Sequence, residues 1–198
     1  MGRISVDKER LKTPKKREDF ARLLFPVFME QGIKNLSTND ICNTLSKSKA
    51  TVYKHFDSKK DIITYILNEK LEAMKKFPRL LFSKDEYKVR YQKAVKYISD
   101  ILEDVSPLFL SELKEIYPDL WRNIENFKQS AISILKTFYN EGIESEVVIK
   151  IDPEYLILQD ELFFDTLINP FLMKSRKLDI KKAFNAYFEI RFNGIMKR

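Results

Sequence analysis

The 198-residue chain has four glycines, seven prolines, one cysteine and one histidine. So few turn residues exclude a hairpin-rich sandwich and a glycine loop that cradles a nucleotide phosphate, since both need backbone shapes that glycine supplies. A single cysteine, Cys42, closes no internal disulfide and reads as a small core residue rather than a sensor. One histidine and one cysteine fall short of the four ligands of a zinc site, so no metal is expected. No apolar run approaches the ~18 residues of a membrane span. No apolar leader follows Met1, and Val6 breaks the acylation pattern, so the expected location is the cytoplasm, away from the membrane. Neither an HExxH pair nor a nucleophile arrangement is present, and no enzyme activity or cofactor is expected.

Charge and aromatic surface are plentiful, at 33% and 13% of residues, which suits a chain that buries a core. The charge is uneven. Residues 1–60 hold 14 basic and 7 acidic side chains, and the remainder holds 22 of each, so the whole net charge of +7 lies in the first third. A basic module on a neutral body points to a polyanionic partner, nucleic acid before membrane.

The apolar spacing is helical throughout and predicts an all-α chain of about nine helices. Residues 1–12 read as a flexible basic arm. Thr13-Pro14 predicts a helix start, with Phe20, Leu23, Leu24, Val27 and Phe28 on one stripe, a kink at Pro26 and a left-handed stop at Gly32. Ser37 and Asp40 have capping-box spacing and open a helix to about Leu45. Ser46-Lys47-Ser48 is a turn, and Lys49 to about His55 a second short helix. Ser58 and Asp61 repeat the capping pattern before a helix that Pro78 ends. Farther on, Ser83 with Glu86, Ser106-Pro107 and Asp152-Pro153 mark further starts, and Gly142 a stop. Pro153–Met173 is apolar over so wide an arc that one helix there buries two faces. The last amphipathic helix runs through about residues 178–197.

Two short helices joined by three residues form a helix-turn-helix, whose second helix enters the DNA major groove. In that second helix Ala50 and Thr51 are small enough for the backbone to approach base edges. Lys49, Lys54, Lys59 and Lys60 supply phosphate partners, Tyr53 and His55 can donate to phosphate, and Val52 and Phe56 form the apolar back.

Residues 13–72 resemble the DNA-binding domain of TetR-family transcriptional regulators. The resemblance rests on Gly32-Ile33, Ser37, Asp40-Ile41-Cys42, Lys47-Ser48 and the run Thr51-Val52-Tyr53-Lys54-His55-Phe56-Asp57-Ser58-Lys59-Lys60-Asp61-Ile62. Leu45, Ser46, Lys47 and Ala50 depart from the family pattern at the turn and at the start of the reading helix. The resemblance implies that Ser37, Tyr53, His55 and Lys59 touch the phosphate backbone, while Lys49, Ala50, Thr51 and Lys54 face bases or the groove wall. It further implies a homodimer built on helices at about 153–173 and 178–197, and a ligand in the helical body that releases the protein from DNA.

The expected organisation is therefore an arm (1–12), a helix-turn-helix domain (13–60) with a connecting helix (58–77), and an effector-binding and dimerisation domain (78–198). The expected partner is double-stranded operator DNA. The expected function is transcriptional repression relieved by a small apolar or amphipathic effector. Tyr91, Phe109, Trp121, Phe127, Phe138 and Phe164 are candidates to line the effector pocket, each competing with a plain core role. The alternative is a basic helical module that binds DNA or membrane without sequence choice. The arm either follows the minor groove or attracts DNA only electrostatically.

Overall fold

The computed structural model describes residues 14–197, so the arm 1–12 and the cap expected at Thr13 lie outside the described residues. Eleven helical segments follow in order among them, with no strand. They are α1 (Pro14–Gln31), α2 (Thr38–Leu45), α3 (Lys49–Val52), α4 (Lys59–Met74), α5 (Pro78–Leu81), α6 (Tyr87–Ile101), α7 (Pro107–Ile116), α8 (Pro118–Glu144), α9 (Pro153–Leu167), α10 (Pro170–Ser175) and α11 (Ile180–Ile195).

Local chemistry sets the first boundaries. Pro14 opens α1, whose Phe20, Leu24 and Phe28 are buried, while Leu23 of the expected stripe faces out. The helix runs on past Pro26 and ends before Gly32, which has φ +79°. Ser37 accepts from the Asp40 N–H while Asp40 accepts from the Ser37 N–H, the reciprocal cap that the spacing predicts, worth about 1 kcal/mol. Ser46, at φ 50°, turns the chain out of α2.

Five boundaries differ from the sequence expectation. Regular α3 ends at Val52 rather than near His55, because the next turn tightens: His55 N–H bonds back only three residues, to Val52. The helix begun at Ser58 stops at Met74, and Pro78 opens α5 instead of ending α4. Ser83 donates to Asp85 and forms no box with Glu86, which starts α6 without a side-chain cap. Gly142 lies inside the last turn of α8; a side chain there would collide with the Tyr87 hydroxyl and with Val148, so packing requires glycine. Finally, the apolar stretch 153–173 is two helices. Pro170 cannot continue an α-helix, and Asn169 Oδ1 caps the new one at the N–H groups of Phe171 and Leu172.

The first four helices share one core, centred on Leu24, Phe28, Ile41, Val52, Phe56, Ile62 and Ile63, all fully buried. Behind it, the stacked rings of Tyr87 and Phe138, 4.1 Å apart, join α6 to α8. One antiparallel bridge, Val148 to Met196, ties the α8–α9 connection to the chain's end. Among the described residues no helix is long and apolar enough to cross a membrane.

A basic reading helix in front of an apolar cavity

The Ser48 hydroxyl caps α3 by accepting the Thr51 N–H, and the two hydroxyls lie 2.9 Å apart. The cap and the left-handed Ser46 together turn α3 sharply from α2. The back of the motif is apolar and closed: Ile41, Leu45, Val52 and Phe56 are 0–5% exposed. Its front is open. Lys47, Lys49, Ala50 and Lys54 are exposed, and Thr51 and Tyr53 are half-buried. The Tyr53 hydroxyl lies 3.3 Å from Thr38 Oγ1, joining the first turn of α2 to the end of α3. Thr38, which sequence reading passed over, belongs to this face because a hydroxyl at the start of α2 meets the tyrosine fifteen residues on.

Two of the anticipated phosphate partners are turned inward. The Lys59 ammonium donates to the backbone carbonyls of Ile33 and Leu36. Burial pulls its pKa below the usual lysine range, partly offset by the charges of Glu112 and Asp40. His55 is 9% exposed, its ring edge-on to Phe20 at 5.5 Å, and its buried Nδ1 has no partner. Burial lowers its pKa, and Lys16, Lys54 and Arg17 lower it further. Ser37, also anticipated at phosphate, is exposed, and its hydroxyl serves the cap of α2. The exposed cationic face is thus narrower than the lysine count suggests.

Arg17, in the first turn of α1, is a structural clamp. It bonds Asp61 at 2.7 Å and lies over the rings of Phe56 and Tyr65, at 4.7 and 5.1 Å. Asp61 in turn accepts the Asp57 N–H, so α1 holds the start of α4 and with it the chain leaving α3.

Behind the motif lies a cavity of about 180 Å³. Its wall draws on α1 (Phe25, Met29), α4 (Ile66, Leu67, Leu71), α6 (Tyr91, Ala94, Ile98), α7 (Phe109, Leu110), α8 (Phe127, Ala131) and the last helices (Phe164, Phe184, Phe188). Of the six pocket candidates, Tyr91, Phe109, Phe127 and Phe164 line it, and Trp121 and Phe138 do not. Trp121 instead donates to Glu125, and Phe138 is fully buried in the Tyr87 stack. The wall's charged side chains are Lys70, bonded to the Ile101 carbonyl, and Lys128, paired with Glu125 and Asp165. Among the described residues no group of three metal-ligating side chains converges.

A second open surface lies on the last helices. Tyr155, Leu158 and Leu162 of α9 follow at i, i+3 and i+7 and are 52–63% exposed; Ile190 of α11 is 74% exposed. The inner sides of the same helices carry a polar core. Asp160, wholly buried, accepts from Tyr139 at 2.8 Å, Tyr187 at 2.6 Å and Arg191 at 2.8 Å. Burial raises its pKa, against the opposing pull of these donors and the Arg191 charge.

Comparison with known proteins agrees with this geometry. Residues 25–66 match the family described as bacterial regulatory proteins, tetR family. The HTH-type transcriptional regulator YvaF of Bacillus subtilis is 19% identical over 173 residues, spanning 86% of this chain and 90% of that protein. IcaR of Staphylococcus aureus, a negative transcriptional regulator of the biofilm operon icaADBC, is 25% identical over 121 residues, 59% of this chain and 65% of its own. A transcriptional regulator from Saccharomonospora viridis, solved in complex with choline, shares the fold at a TM-score of 0.72 and 18% identity, covering 94% of this chain and all of that one. The helix-turn-helix segment thus matches the tetR family of bacterial regulatory proteins, and the chain as a whole shares the fold of a solved transcriptional regulator.

Proposed function

We propose that two copies of this chain bind an operator through paired α3 helices and repress transcription until an apolar or amphipathic small molecule enters the cavity. Lys49, Ala50, Thr51 and Lys54 face the major groove, and Ser37 and Tyr53, with Thr38 beside it, meet phosphates. The inward turn of Lys59 and His55 assigns them to holding the motif rather than to contacting DNA. Residues 13–60 form the reading domain and 78–198 the effector and dimer domain, joined by α4, and the regulator acts in the cytoplasm without catalysis. The single observation that carries this reading is the juxtaposition of an exposed basic α3 with an apolar cavity whose wall includes α1 and α4, the two helices that share a buried core with α3.

Repression is supported by the negative role of IcaR, and ligand response by the choline complex of a chain with this fold. An apolar ligand is supported by the hydrocarbon and aromatic wall. A cavity of about 180 Å³ is near the ~150 Å³ that admits a benzene-sized guest, so a larger effector must spread the helices around it. Dimerisation is supported by the row Tyr155, Leu158 and Leu162, which a lone chain leaves in water.

The test is selection of duplexes from a randomised library, followed by salt titration of the winner. The expected outcome is an inverted repeat whose binding outlasts that of random DNA as salt rises. Recovery of no common sequence would establish the non-specific alternative instead.

A further inference from the structure

Resting on the cavity-controlled DNA binding just proposed, we propose that Glu112 is the positioning residue through which the cavity acts on the helix-turn-helix. Helix α7 faces two ways. Phe109 and Leu110 line the cavity, while Glu112, one turn on from Phe109, is 7% exposed and points at the connection between α1 and α2. Its Oε2 accepts the N–H groups of Ile33 and Lys34, the latter at 2.9 Å. Gly32 makes the approach possible, since a Cβ there would overlap the carboxylate.

The same short connection is gripped from its other side. Lys59, first residue of α4, donates to the carbonyls of Ile33 and Leu36, and its charge faces Glu112. The peptide unit between Ile33, itself 1% exposed, and Lys34 is thus held between a carboxylate of α7 at its N–H and an ammonium of α4 at its carbonyl. One residue beyond Leu36 stands Ser37, the cap of α2, so the placement of this connection sets the placement of the reading unit.

A buried carboxylate that loses its donors carries an unpaired charge out of water, a far larger penalty than loss of an exposed ion pair. When an occupant of the cavity displaces α7, residues 33–34 must follow Glu112. The neighbouring ion pairs Lys34–Glu115 and Lys60–Asp119 also cross from the motif to the body at 2.7 Å. All four of their side chains are substantially exposed, so water and salt loosen them. Glu112 is the contact that cannot slip. A bistable element biased from both ends is the physical requirement for coupling between sites.

A double-mutant cycle on operator affinity tests this, using the full chain and the duplex selected above. Ala94→Leu fills the cavity from α6, as an occupant would, and Ala131→Leu does so from α8 as a second filler. The expected result is about tenfold weaker binding on filling in the wild-type background, and less than about twofold in Glu112→Ala. Glu112→Gln keeps the shape and a neutral acceptor and is expected to give an intermediate value, which a simple loss of fold would not. Glu115→Ala, at the exposed pair, is expected to keep the full tenfold effect. Equal fold-changes with and without Glu112 would overturn its role and leave cavity control standing. No change on filling by either leucine in the wild type would overturn cavity control itself, and this inference with it.

Discussion

The carboxylate of Glu112 occupies the space that a side chain on Gly32 would need. Gly32 also holds a left-handed backbone, φ +79°, so two separate constraints exclude other residues there. Gly32→Ala is expected to lower stability by about 2 kcal/mol or more, from backbone strain and overpacking together. Urea unfolding checks this. Adding Glu112→Ala removes the collision but not the strain, so the same backbone change should then cost about 1 kcal/mol.

Tyr53 and Thr51 stand on one face but are expected to fail differently. Tyr53→Phe deletes a hydroxyl that lies beside Thr38 Oγ1 and meets phosphate in the proposed complex, and should weaken every duplex by about 1 kcal/mol. Thr51→Ala should change which sequence a library yields, because in the proposed complex its methyl meets base edges. An unchanged preference profile for Thr51→Ala would remove α3 from the groove.

The pair Asp160–Arg191 is sealed from water, at 0% and 4% side-chain exposure. Arg191→Met leaves the carboxylate with two tyrosine hydroxyls and no cation, and should cost about 3–5 kcal/mol in urea unfolding. The double replacement Asp160→Leu with Arg191→Met should cost much less, since no buried charge is then stranded.

His55 sets a pH dependence whose sign follows from burial. Its pKa in the folded chain lies below 6.5, so as pH falls through 6.5 the unfolded chain takes up a proton that the folded chain refuses. Stability is therefore undiminished above that range and declines below it. Thermal melts at about pH 7.5 and 5.5 should show a larger loss for the wild type than for His55→Gln, which cannot titrate there.

Leu162→Glu places a charge in the exposed row of α9, 59% open in the single chain. If that row is the dimer seam, light scattering should report monomers, and operator affinity should drop steeply as the second half-site contact is lost. A melting temperature close to wild type would show that the protomer itself is intact.

The DNA-reading motif was legible because its signals are local. Ser37 with Asp40, Ser46 as a turn and the small-residue stretch after Ser48 act over three or four residues, and the chain obeys them wherever the rest of the fold sits. The pocket was half legible. Tyr91, Phe109, Phe127 and Phe164 line it, yet Phe138, equally aromatic, stacks on Tyr87 instead, and nothing in its own neighbourhood in the chain distinguishes it. Gly142 looked like a stop because glycine commonly is one, whereas here a tyrosine from another helix claims the space of its side chain.

Helical character, the excess of positive charge at one end and the helix-turn-helix were thus already implied by the order of residues, since capping, periodicity and net charge are short-range or additive properties. Which lysines stay free, how α9 and α10 divide their apolar surface, and the grip of Glu112 on residues 33 and 34 emerged only once the helices packed. Those outcomes depend on desolvation and on atoms meeting from distant parts of the chain, where burial decides whether a charge faces water or a backbone amide.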